Sequence, residues 1–397
     1  SGNQVELAWQ DERFVNQKEV TENFKILDGN GLTVIPGLVD LHTHLREPGG
    51  EDAETVLTGS QSAVAGGYTA ISAMPNTEPA ADTAGVVEQV FRLGQTHGLC
   101  DVFPIGAVTE KREGKKLAEL AAMNASAANV RIFSDDGSCI SDALVMRRAL
   151  EYVKSFNGII AQHAQDPRLT EGAEVNEGVI SSTLGLKGWP AVAEEAIIAR
   201  DVLLAEHVNS RLHICHISTA GSVEIVRWAK SRGISVTAEV TPHHLLLEDE
   251  LTRSYDPIFK VNPPLRNRRD VQALREGVAD GTIDIIATDH APHPSERKEC
   301  EWSAASFGMV GLETALSVSF LSLVQSGLIT FSSLMEKMSS NPAKIAGYSG
   351  HGSLEVGALA NFALIDLSKE WKVEKTVLKS KSKNTPFQGM KLPVSVK

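Results

Sequence analysis

Short apolar segments alternate with amphipathic stretches through most of the chain. Eight segments rich in apolar and β-branched residues are predicted as strands, at 38–44, 68–73, 101–107, 130–134, 158–163, 211–216, 235–240 and 283–289. Between them, the spacing of apolar residues predicts helices at 83–96, 142–156, 191–206, 222–232 and 270–280. Because this alternation is typical of a (β/α)8 barrel, we predict an α/β fold with a TIM-like barrel over residues 36–348.

The two ends of the chain lack this alternation. Residues 5–9, 24–27 and 32–35 have strand-like patterns without helices between them, and residues 360–366 form a further strand-like segment. We therefore predict a small β-domain built from both chain ends, residues 1–35 and 349–397, packed against the barrel.

Polar side chains recur where the predicted strands end. The first strand ends in His42 and His44, whose i, i+2 spacing places both on one face. The other strand ends contribute Asp135 and Asp136, His163, His216 and Asp289. Taken singly, each histidine here is better explained as a buried core residue. Four histidines and two aspartates at the same ends of successive strands instead indicate a site for two metal ions.

Two metal ions close together require a bridging anion, and Asp136 is the natural candidate. Neighbouring residues of an extended chain face opposite ways, so only one of Asp135 and Asp136 can reach the metals. Asp289 stands where a carboxylate could move a proton between an attacking water and a leaving nitrogen. The chemistry indicated is hydrolysis of an amide-like carbon, or the reverse condensation.

Composition narrows the function class. The net charge of −12 argues against a nucleic-acid-binding surface, and the basic run at 379–383 is predicted to be a solvated loop. No membrane-spanning apolar run or signal sequence is recognisable, so no membrane contact is expected. The four cysteines are scattered, which suits a reducing cytoplasm, and we expect a cytoplasmic enzyme.

Five segments together resemble the dihydroorotases of the amidohydrolase superfamily, in particular the bacterial class I enzymes. They are residues 37–49 (GLVDLHTHLREPG), 74–77 (MPNT), 133–137 (FSDDG), 261–266 (VNPPLR) and 287–293 (ATDHAPH). The resemblance implies reversible interconversion of N-carbamoyl-L-aspartate and L-dihydroorotate in pyrimidine biosynthesis, with two Zn²⁺ per subunit. It also implies a small-molecule substrate, a homodimer and a complex with aspartate transcarbamoylase.

The same resemblance assigns roles to individual residues. It implies that His42 and His44 bind one zinc, that His163 and His216 bind the other, and that Asp136 bridges them. Asp289 would be the remaining ligand and the catalytic acid/base. The residues implied for substrate binding are His44, Arg46, Asn76 and His293, with the last three on the free carboxylate, and Asn262, Phe307 and Gly308 on the amide edge. A guanidinium matches a carboxylate in two hydrogen bonds, which agrees with the role of Arg46.

One segment leaves two interpretations open, and one residue departs from the family pattern. Residues 294–306 follow Asp289 and are charged and turn-like, so they are either a mobile active-site lid or a plain surface loop. Gln165 stands in an AQHAQD segment where many relatives carry a His-Cys-Glu-Asp pattern, which affects the surroundings of His163 more than metal binding.

Two rival functions are weighed against this hypothesis. A hydantoinase or allantoinase would typically bridge its metals with a carboxylated lysine, and its neutral substrate would give Arg46 no carboxylate to bind. The second rival is a non-catalytic, dihydroorotase-like partner of aspartate transcarbamoylase. All six ligand positions are filled here, so we expect an active enzyme.

Overall fold

The computed structural model describes residues 5–20 and 25–397. Its β-strands are β1 (Ala8–Gln10), β2 (Arg13–Val15), β3 (Thr33–Pro36), β4 (Leu38–Thr43), β5 (Tyr68–Ala73), β6 (Asp101–Pro104), β7 (Ile132–Phe133), β8 (Ile159–Gln162), β9 (Val175–Asn176), β10 (Gly188–Trp189), β11 (Arg211–Ile214), β12 (Val236–Val240), β13 (Ile285–Ile286), β14 (Phe362–Asp366), β15 (Trp371–Lys372), β16 (Lys391–Leu392) and β17 (Ser395–Val396). Strands β4 to β8 and β11 to β13 coincide with the eight predicted segments, although several are shorter.

The α-helices alternate with these strands. They are α1 (Val56–Ala65), α2 (Ala84–His97), α3 (Leu120–Ala125), α4 (Ala143–Lys154), α5 (Val179–Leu184), α6 (Val192–Val208), α7 (Ala220–Ser231), α8 (Arg268–Ala279), α9 (Ala315–Ser319), α10 (Phe331–Met335) and α11 (Asn341–Ala346). Five lie where apolar spacing predicts helices: α2, α4, α6, α7 and α8. Within the described residues, no helix combines the length and the apolar character needed to cross a bilayer.

Side-chain caps explain why several helices begin where they do. Asp142 accepts hydrogen bonds from the first backbone N–H groups of α4, and Asn267 does the same for α8. Thr219 accepts one from Ser222 at the start of α7. Each cap satisfies backbone donors that have no partner inside the helix.

The strands that carry the polar ends form two parallel sheets. One has the order β4-β5-β6 and the other β13-β12-β11-β8-β7. Single parallel bridges connect their edges, Gly106 with Phe133 on one side and Thr43 with His290 on the other. Regular ladders therefore do not run continuously around all eight strands. The fold is α/β with a parallel arrangement that puts every strand's C-terminal end on one face.

A buried carboxylate stabilises the seam between β4 and the segment after β13. Asp40 is fully buried and accepts hydrogen bonds from the backbone N–H and the hydroxyl of Thr288, at 3.1 and 2.5 Å. Burial raises the pKa of Asp40 to about 6, although its hydrogen bonds oppose this shift. Because Asp289 is the next residue, these hydrogen bonds fix the backbone from which its side chain extends.

The apolar core has two main parts. One cluster lies between the strands and the helices and includes Leu38, Ile71, Phe133 and Val202. The other includes Val39, Ile132 and Ile285 and lies among the strands themselves. Strands buried on both faces explain the nearly continuous apolar runs in the sequence.

Both chain ends contribute to one small antiparallel sheet of order β17-β14-β3. Strands β1 and β2 form a separate antiparallel pair, linked to the C-terminal part by a bridge from Arg13 to Leu359. The predicted strand at 24–27 begins outside the described residues, and residues 25–27 form no strand. The predicted strand at 5–9 lies slightly later, as β1.

The basic run at 379–383 is a loop in which Lys379 and Lys381 are exposed, but its serines are buried. Ser380 is fully buried and donates its hydroxyl hydrogen to the buried carboxylate of Glu54. Lys381 donates a backbone N–H to Glu54 at 3.0 Å, and Lys383 donates to the carbonyl of Leu378 at 2.7 Å. The loop is therefore anchored by a buried acid in a distant segment, and sequence composition does not show that partner.

Gly37 provides a stability test of the close contact between β4 and β5. A Cβ at Gly37 would lie 2.2 Å from Thr69 Oγ1 and 2.8 Å from Thr69 Cβ, which is too close for either chain to avoid a shift. We expect Gly37→Ala to lower the free energy of unfolding by about 1–3 kcal/mol through overpacking. Urea denaturation followed by circular dichroism measures this.

The matched control is Gly85→Ala, in the first turn of α2, where an added Cβ meets nothing described within 4 Å. That variant should leave stability unchanged or raise it by less than about 1 kcal/mol. Equal stabilities for the two variants would contradict the close-contact explanation.

Candidate metal centre

The ends of five parallel strands bring the predicted ligands together. His42 belongs to β4 and His44 follows it, while His163 comes directly after β8 and His216 shortly after β11. Asp136 and Asp289 follow β7 and β13. All six residues are at least 95% buried. The six residues are therefore neighbours in space although 247 positions separate the first from the last in the sequence.

Asp136 lies at the centre of this group. Its Oδ1 is 3.2 Å from His163 Nδ1, 3.3 Å from His216 Nε2 and 3.4 Å from His42 Nε2. Its Oδ2 is 3.4 Å from His44 Nε2. One carboxylate thus faces four imidazoles, three through Oδ1 and one through Oδ2.

The neighbouring Asp135 faces away from the group. Its carboxylate accepts backbone hydrogen bonds from Val108 and Thr109, at 2.9 and 3.0 Å, and a further bond from the hydroxyl of Thr109. Asp136 in turn donates its backbone N–H to Ser134 Oγ at 3.0 Å. The two aspartates point in opposite directions, as extended geometry predicts.

Each of three imidazoles is oriented through its other ring nitrogen. His42 Nδ1 lies 2.5 Å from Glu239 Oε1, and His44 Nδ1 lies 2.9 Å from Asn76 Oδ1. His163 Nε2 lies 2.7 Å from Gln165 Oε1. Hydrogen bonds of this kind hold metal-binding imidazoles in one tautomer, with the second nitrogen directed at the metal.

Glu239 is a functional residue that the sequence reasoning missed. It is 1% exposed, on β12, and besides His42 it contacts His213 Nε2 at 3.1 Å and the backbone N–H of His216 at 3.2 Å. Burial would raise the pKa of Glu239, but the adjacent imidazoles lower it well below its usual range. The available signal was an acidic residue inside an otherwise apolar strand, which is rarely tolerated without a partner.

Charge balance in the cluster follows from these contacts. Burial alone lowers the pKa of His42, yet the carboxylates of Asp136, Glu239 and Asp289 raise it well above its usual value. Burial also lowers the pKa of His44, and Arg46 contributes to that shift. The cluster carries strong negative charge around nitrogen donors, as a cation site requires.

Asp289 approaches the group from the side of His44. Its Oδ1 lies 2.9 Å from His44 Nε2 and 3.5 Å from His42 Nε2. Its backbone has a φ of 47°, in the left-handed region that non-glycine residues seldom occupy. Burial acts to raise the pKa of Asp289, but His42 and His44 lower it far below its usual range. This shift favours the ionised carboxylate, the form that can bind a cation.

The donor set suits a pair of metal ions. Two groups, each with its ligand atoms within 4.8 Å of one another, share Asp136: one adds His42 and His44, the other adds His163 and His216. In addition, His42 Nε2 is buried and has no hydrogen-bond partner among the described residues. A buried nitrogen of this kind needs a ligand, and imidazole with carboxylate is a donor set typical of zinc.

Arg46 and His293 lie side by side next to the cluster. Arg46 Nη2 is 3.4 Å from His293 Nε2, and Arg46 Nε donates to the carbonyl of Pro292 at 3.2 Å. Burial lowers the pKa of Arg46 to about 10 and that of His293 to about 3. A guanidinium beside a neutral imidazole forms a site for an anion. Asn76, which holds His44, connects this side to the metal cluster.

Asn262 lies next to Gln165, whereas Phe307 and Gly308 lie beside His293. Asn262 Nδ2 donates to Gln165 Oε1 at 3.1 Å, and Asn262 Oδ1 is buried without a partner among the described residues. Gly308 has a φ of 130°, and a Cβ there would lie 2.7 Å from the Cβ of Ala291. Glycine is therefore required for this close approach. The Phe307 carbonyl lies 2.7 Å from His293 Nε2.

Residues 294–306 are anchored by two buried lysines. Lys260 Nζ donates to the carbonyls of Trp302 and Ser303, at 2.7 and 3.2 Å. Lys298 Nζ donates to the carbonyls of Lys260 and Ser306, at 3.1 and 2.9 Å. The segment is thus packed onto the loop that carries Asn262.

Asn384 is a second residue that the sequence reasoning missed. It accepts the backbone N–H of His293 at 3.1 Å, and its amide donates to the carbonyls of Ala291 and Gly308, at 3.0 and 3.2 Å. A residue from the chain's C-terminal part therefore holds two loops of the site together. No local motif surrounds it, so the sequence offered no signal.

Known families match this chain closely. A family model described as Dihydro-orotase-like matches residues 31–222. A dihydroorotase from Streptomyces coelicolor is 66% identical over 373 residues, which cover 94% of this chain and 87% of the relative. A dihydroorotase from Mycobacterium tuberculosis is 53% identical over 378 residues, which cover 95% and 88%.

Solved structures support the same fold. The L-hydantoinase (dihydropyrimidinase) of Arthrobacter aurescens aligns with a TM-score of 0.85 at 25% identity, over 98% of this chain and 89% of that one. A dihydropyrimidinase from Brevibacillus agri aligns with a TM-score of 0.81 at 19% identity, over 98% and 88%. At such low identity the second alignment shows the fold alone.

The contacts of Glu239 generate a test of the cluster. In Glu239→Gln the side chain keeps its size, but His42 loses its anionic partner. We expect the affinity for a divalent metal, probed with Zn²⁺ against a chromophoric chelator, to fall by about 10- to 100-fold. The control is Glu206→Gln, because Glu206 pairs with Arg232 at the surface, 2.7 Å away. Equal affinities in both variants would show that Glu239 does not tune the cluster.

Proposed function

The chain belongs to the dihydroorotase family, and we propose that its six strand-end histidines and aspartates form the binuclear zinc centre of an active member. It is a hydrolase of a cyclic amide C–N bond in pyrimidine biosynthesis. The observation that carries the zinc proposal is the position of Asp136, 3.2 to 3.4 Å from four imidazoles.

The proposed ligand sets follow the geometry of the two groups that share Asp136. His42, His44 and Asp289 would hold one zinc, His163 and His216 the other, with Asp136 bridging them. When bound, two zinc ions supply a water that is acidic enough to act as a nucleophile near neutral pH. The remaining steps fall to the side chains around them.

Asp289 is proposed as the catalytic acid/base. Its ionised carboxylate takes a proton from the attacking water as the water oxygen bonds to the amide carbon. It then returns the proton to the ring nitrogen as the C–N bond breaks, which yields N-carbamoyl-L-aspartate from dihydroorotate. In the reverse direction the same carboxylate removes the nitrogen's proton on ring closure. The contact with His44, at 2.9 Å, holds Asp289 in place for both directions.

Arg46, Asn76 and His293 are proposed to bind the substrate carboxylate. Arg46 supplies a charged pair of donors. The low pKa of His293 keeps its imidazole neutral, and its single N–H faces the Phe307 carbonyl, so His293 would have to turn this N–H from the carbonyl to bind the carboxylate. Asn76 adds an amide donor and connects this subsite to His44, which contacts the substrate from the metal side. The carboxylate would thereby be fixed relative to the reacting carbon.

Asn262 and the backbone at Phe307 and Gly308 are proposed to bind the amide edge of the ring. Asn262 supports this role with a buried amide oxygen that lacks a partner among the described residues. Gly308 supports it because the missing side chain leaves the backbone accessible beside His293. An amide or ureide edge offers both donors and acceptors for such groups.

We also propose that the two parallel sheets act as one closed (β/α)8 barrel over residues 36–348. The bridges from Gly106 to Phe133 and from Thr43 to His290 support closure at both seams. Residues 1–35 and 349–397 are proposed as the small β-domain, supported by the pairing of β3 with β14. A homodimer, a complex with aspartate transcarbamoylase and a cytoplasmic location stay predictions from the sequence.

Hydrolysis of dihydroorotate with and without metal tests the function directly. We expect turnover in the presence of Zn²⁺, a loss of more than about 100-fold after dialysis against a chelator, and recovery when Zn²⁺ is restored. Hydantoin and allantoin serve as comparison substrates in the same assay. Preferred turnover of either one would favour the hydantoinase or allantoinase alternative, and no turnover with zinc bound would favour the non-catalytic partner.

Arg46→Ala tests the carboxylate subsite. We expect kcat/KM for dihydroorotate to fall by about 100-fold or more, because the substrate carboxylate would lose its buried charged partner. Zinc content should not change, since Arg46 is not a proposed ligand. Arg227→Ala, which removes a surface pair with Asp280, is the control and should behave as the wild type. Retained turnover in Arg46→Ala would exclude the carboxylate assignment.

A further inference from the structure

Gln165 joins the proposed metal centre to the proposed amide subsite. Its Oε1 lies 2.7 Å from His163 Nε2 and 3.1 Å from Asn262 Nδ2. Its Nε2 donates to Thr170 Oγ1 at 2.9 Å. One side-chain amide thus contacts a metal-side imidazole, a substrate-side amide and a buried hydroxyl.

The backbone carbonyl of Asp166 determines which of these groups donate and which accept. Thr170 is 5% exposed, and its Oγ1 donates its single hydrogen to the carbonyl of Asp166 at 2.8 Å. Because that hydrogen is used, Thr170 can only accept from Gln165, and the Gln165 atom that faces it must be the amide nitrogen. The carbonyl oxygen of Gln165 must then face the opposite way, toward the site.

An oxygen that only accepts fixes the state of both groups that face it. His163 must carry its hydrogen on Nε2, which leaves the lone pair of Nδ1 directed at Asp136 and the adjacent metal position. Asn262 must donate Nδ2 to Gln165, so its Oδ1 points away from Gln165. That Oδ1 is the buried oxygen without a partner among the described residues.

We propose that Gln165 is a positioning residue that orients the Asn262 amide, so that Asn262 Oδ1 accepts an N–H of the cyclic substrate, and that holds His163 in its metal-binding tautomer. The substrate half of this inference rests on the proposed function, whereas the His163 half rests on the donor set alone. The site selects a ring edge with an N–H donor. A ring edge with only carbonyl oxygens would place two acceptors face to face and bind poorly.

Four variants distinguish a role of Gln165 in orienting Asn262 and His163 from a general contribution to stability. Gln165→Met keeps the length but removes both hydrogen-bonding atoms. Gln165→Glu keeps an accepting oxygen toward His163 and Asn262, because the Thr170 hydroxyl can turn and donate to the other carboxylate oxygen. Thr170→Val removes the acceptor that sets the direction. Thr183→Val is the matched control, since Thr183 also donates to the carbonyl four residues earlier, Val179, at 2.7 Å, but on an exposed helix.

Steady-state kinetics with dihydroorotate test the Asn262 half. We expect Gln165→Met to raise KM by about 10-fold and Thr170→Val by about 3-fold, with a smaller change in kcat, because an unoriented amide binds the substrate less well. Gln165→Glu and Thr183→Val should stay within about 2-fold of the wild-type KM, since they retain the accepting oxygen.

Zinc binding without substrate tests the His163 half. We expect Gln165→Met to weaken zinc binding by about 10-fold or more in competition with a chelator, while Gln165→Glu retains it. In the zinc-free protein, at a pH high enough for the His163 imidazole to be neutral, nitrogen NMR should report His163 protonated on Nε2 in the wild type and a mixture of tautomers in Gln165→Met.

The outcomes separate this inference from the proposed function. If Gln165→Met and Thr170→Val match Thr183→Val in KM and zinc affinity, the positioning role is wrong. The same holds if they lower only the melting temperature. If the wild type itself fails to turn over dihydroorotate, the proposed function and the Asn262 half fail together, and zinc affinity with the NMR signature still decides the His163 half.

Discussion

The site depends on one buried carboxylate, Asp136, held between four imidazoles. Burial alone would raise its pKa, but the charge of His42 and the adjacent imidazoles of His163 and His216 lower it well below its usual range. Asp136 is only 2% exposed, and an ionised carboxylate so deeply buried would strongly destabilise the fold without such partners. The strands that carry these residues must therefore meet in one arrangement, because a shift of any of them would leave Asp136 or an imidazole unpaired.

A second set of buried carboxylates supports this arrangement. Glu239 orients His42 and contacts the backbone of His216, while Asp135 binds the backbone at Val108 and Thr109. Each of these acids accepts hydrogen bonds from backbone as well as side chains, so it joins a ligand or its loop to the neighbouring strand. These contacts hold the imidazoles in place through protein groups, which reduces the reorganisation that metal binding would require.

The substrate side is supported from a different part of the chain. Asn384 holds the backbone of His293 and Gly308, and Glu54 binds the segment at Ser380. The C-terminal part therefore does more than complete a small β-sheet, since it holds the loops that would bind the substrate. On the opposite side, Gln165 links His163 to Asn262. Metal centre and substrate loops are connected through hydrogen bonds rather than through apolar packing alone.

The sequence by itself determined the order of strands and helices and the residues at the strand ends. Apolar periodicity and the opposite directions of Asp135 and Asp136 are local properties of the chain, so they could be predicted. Only the tertiary structure decided the roles of Glu239, Gln165 and Asn384. Their partners are distant in sequence or set by hydrogen-bond direction, and neither property leaves a pattern in neighbouring residues. The structure also shows how the basic run at 379–383 is anchored, because the acid that binds Ser380 lies more than 300 positions away.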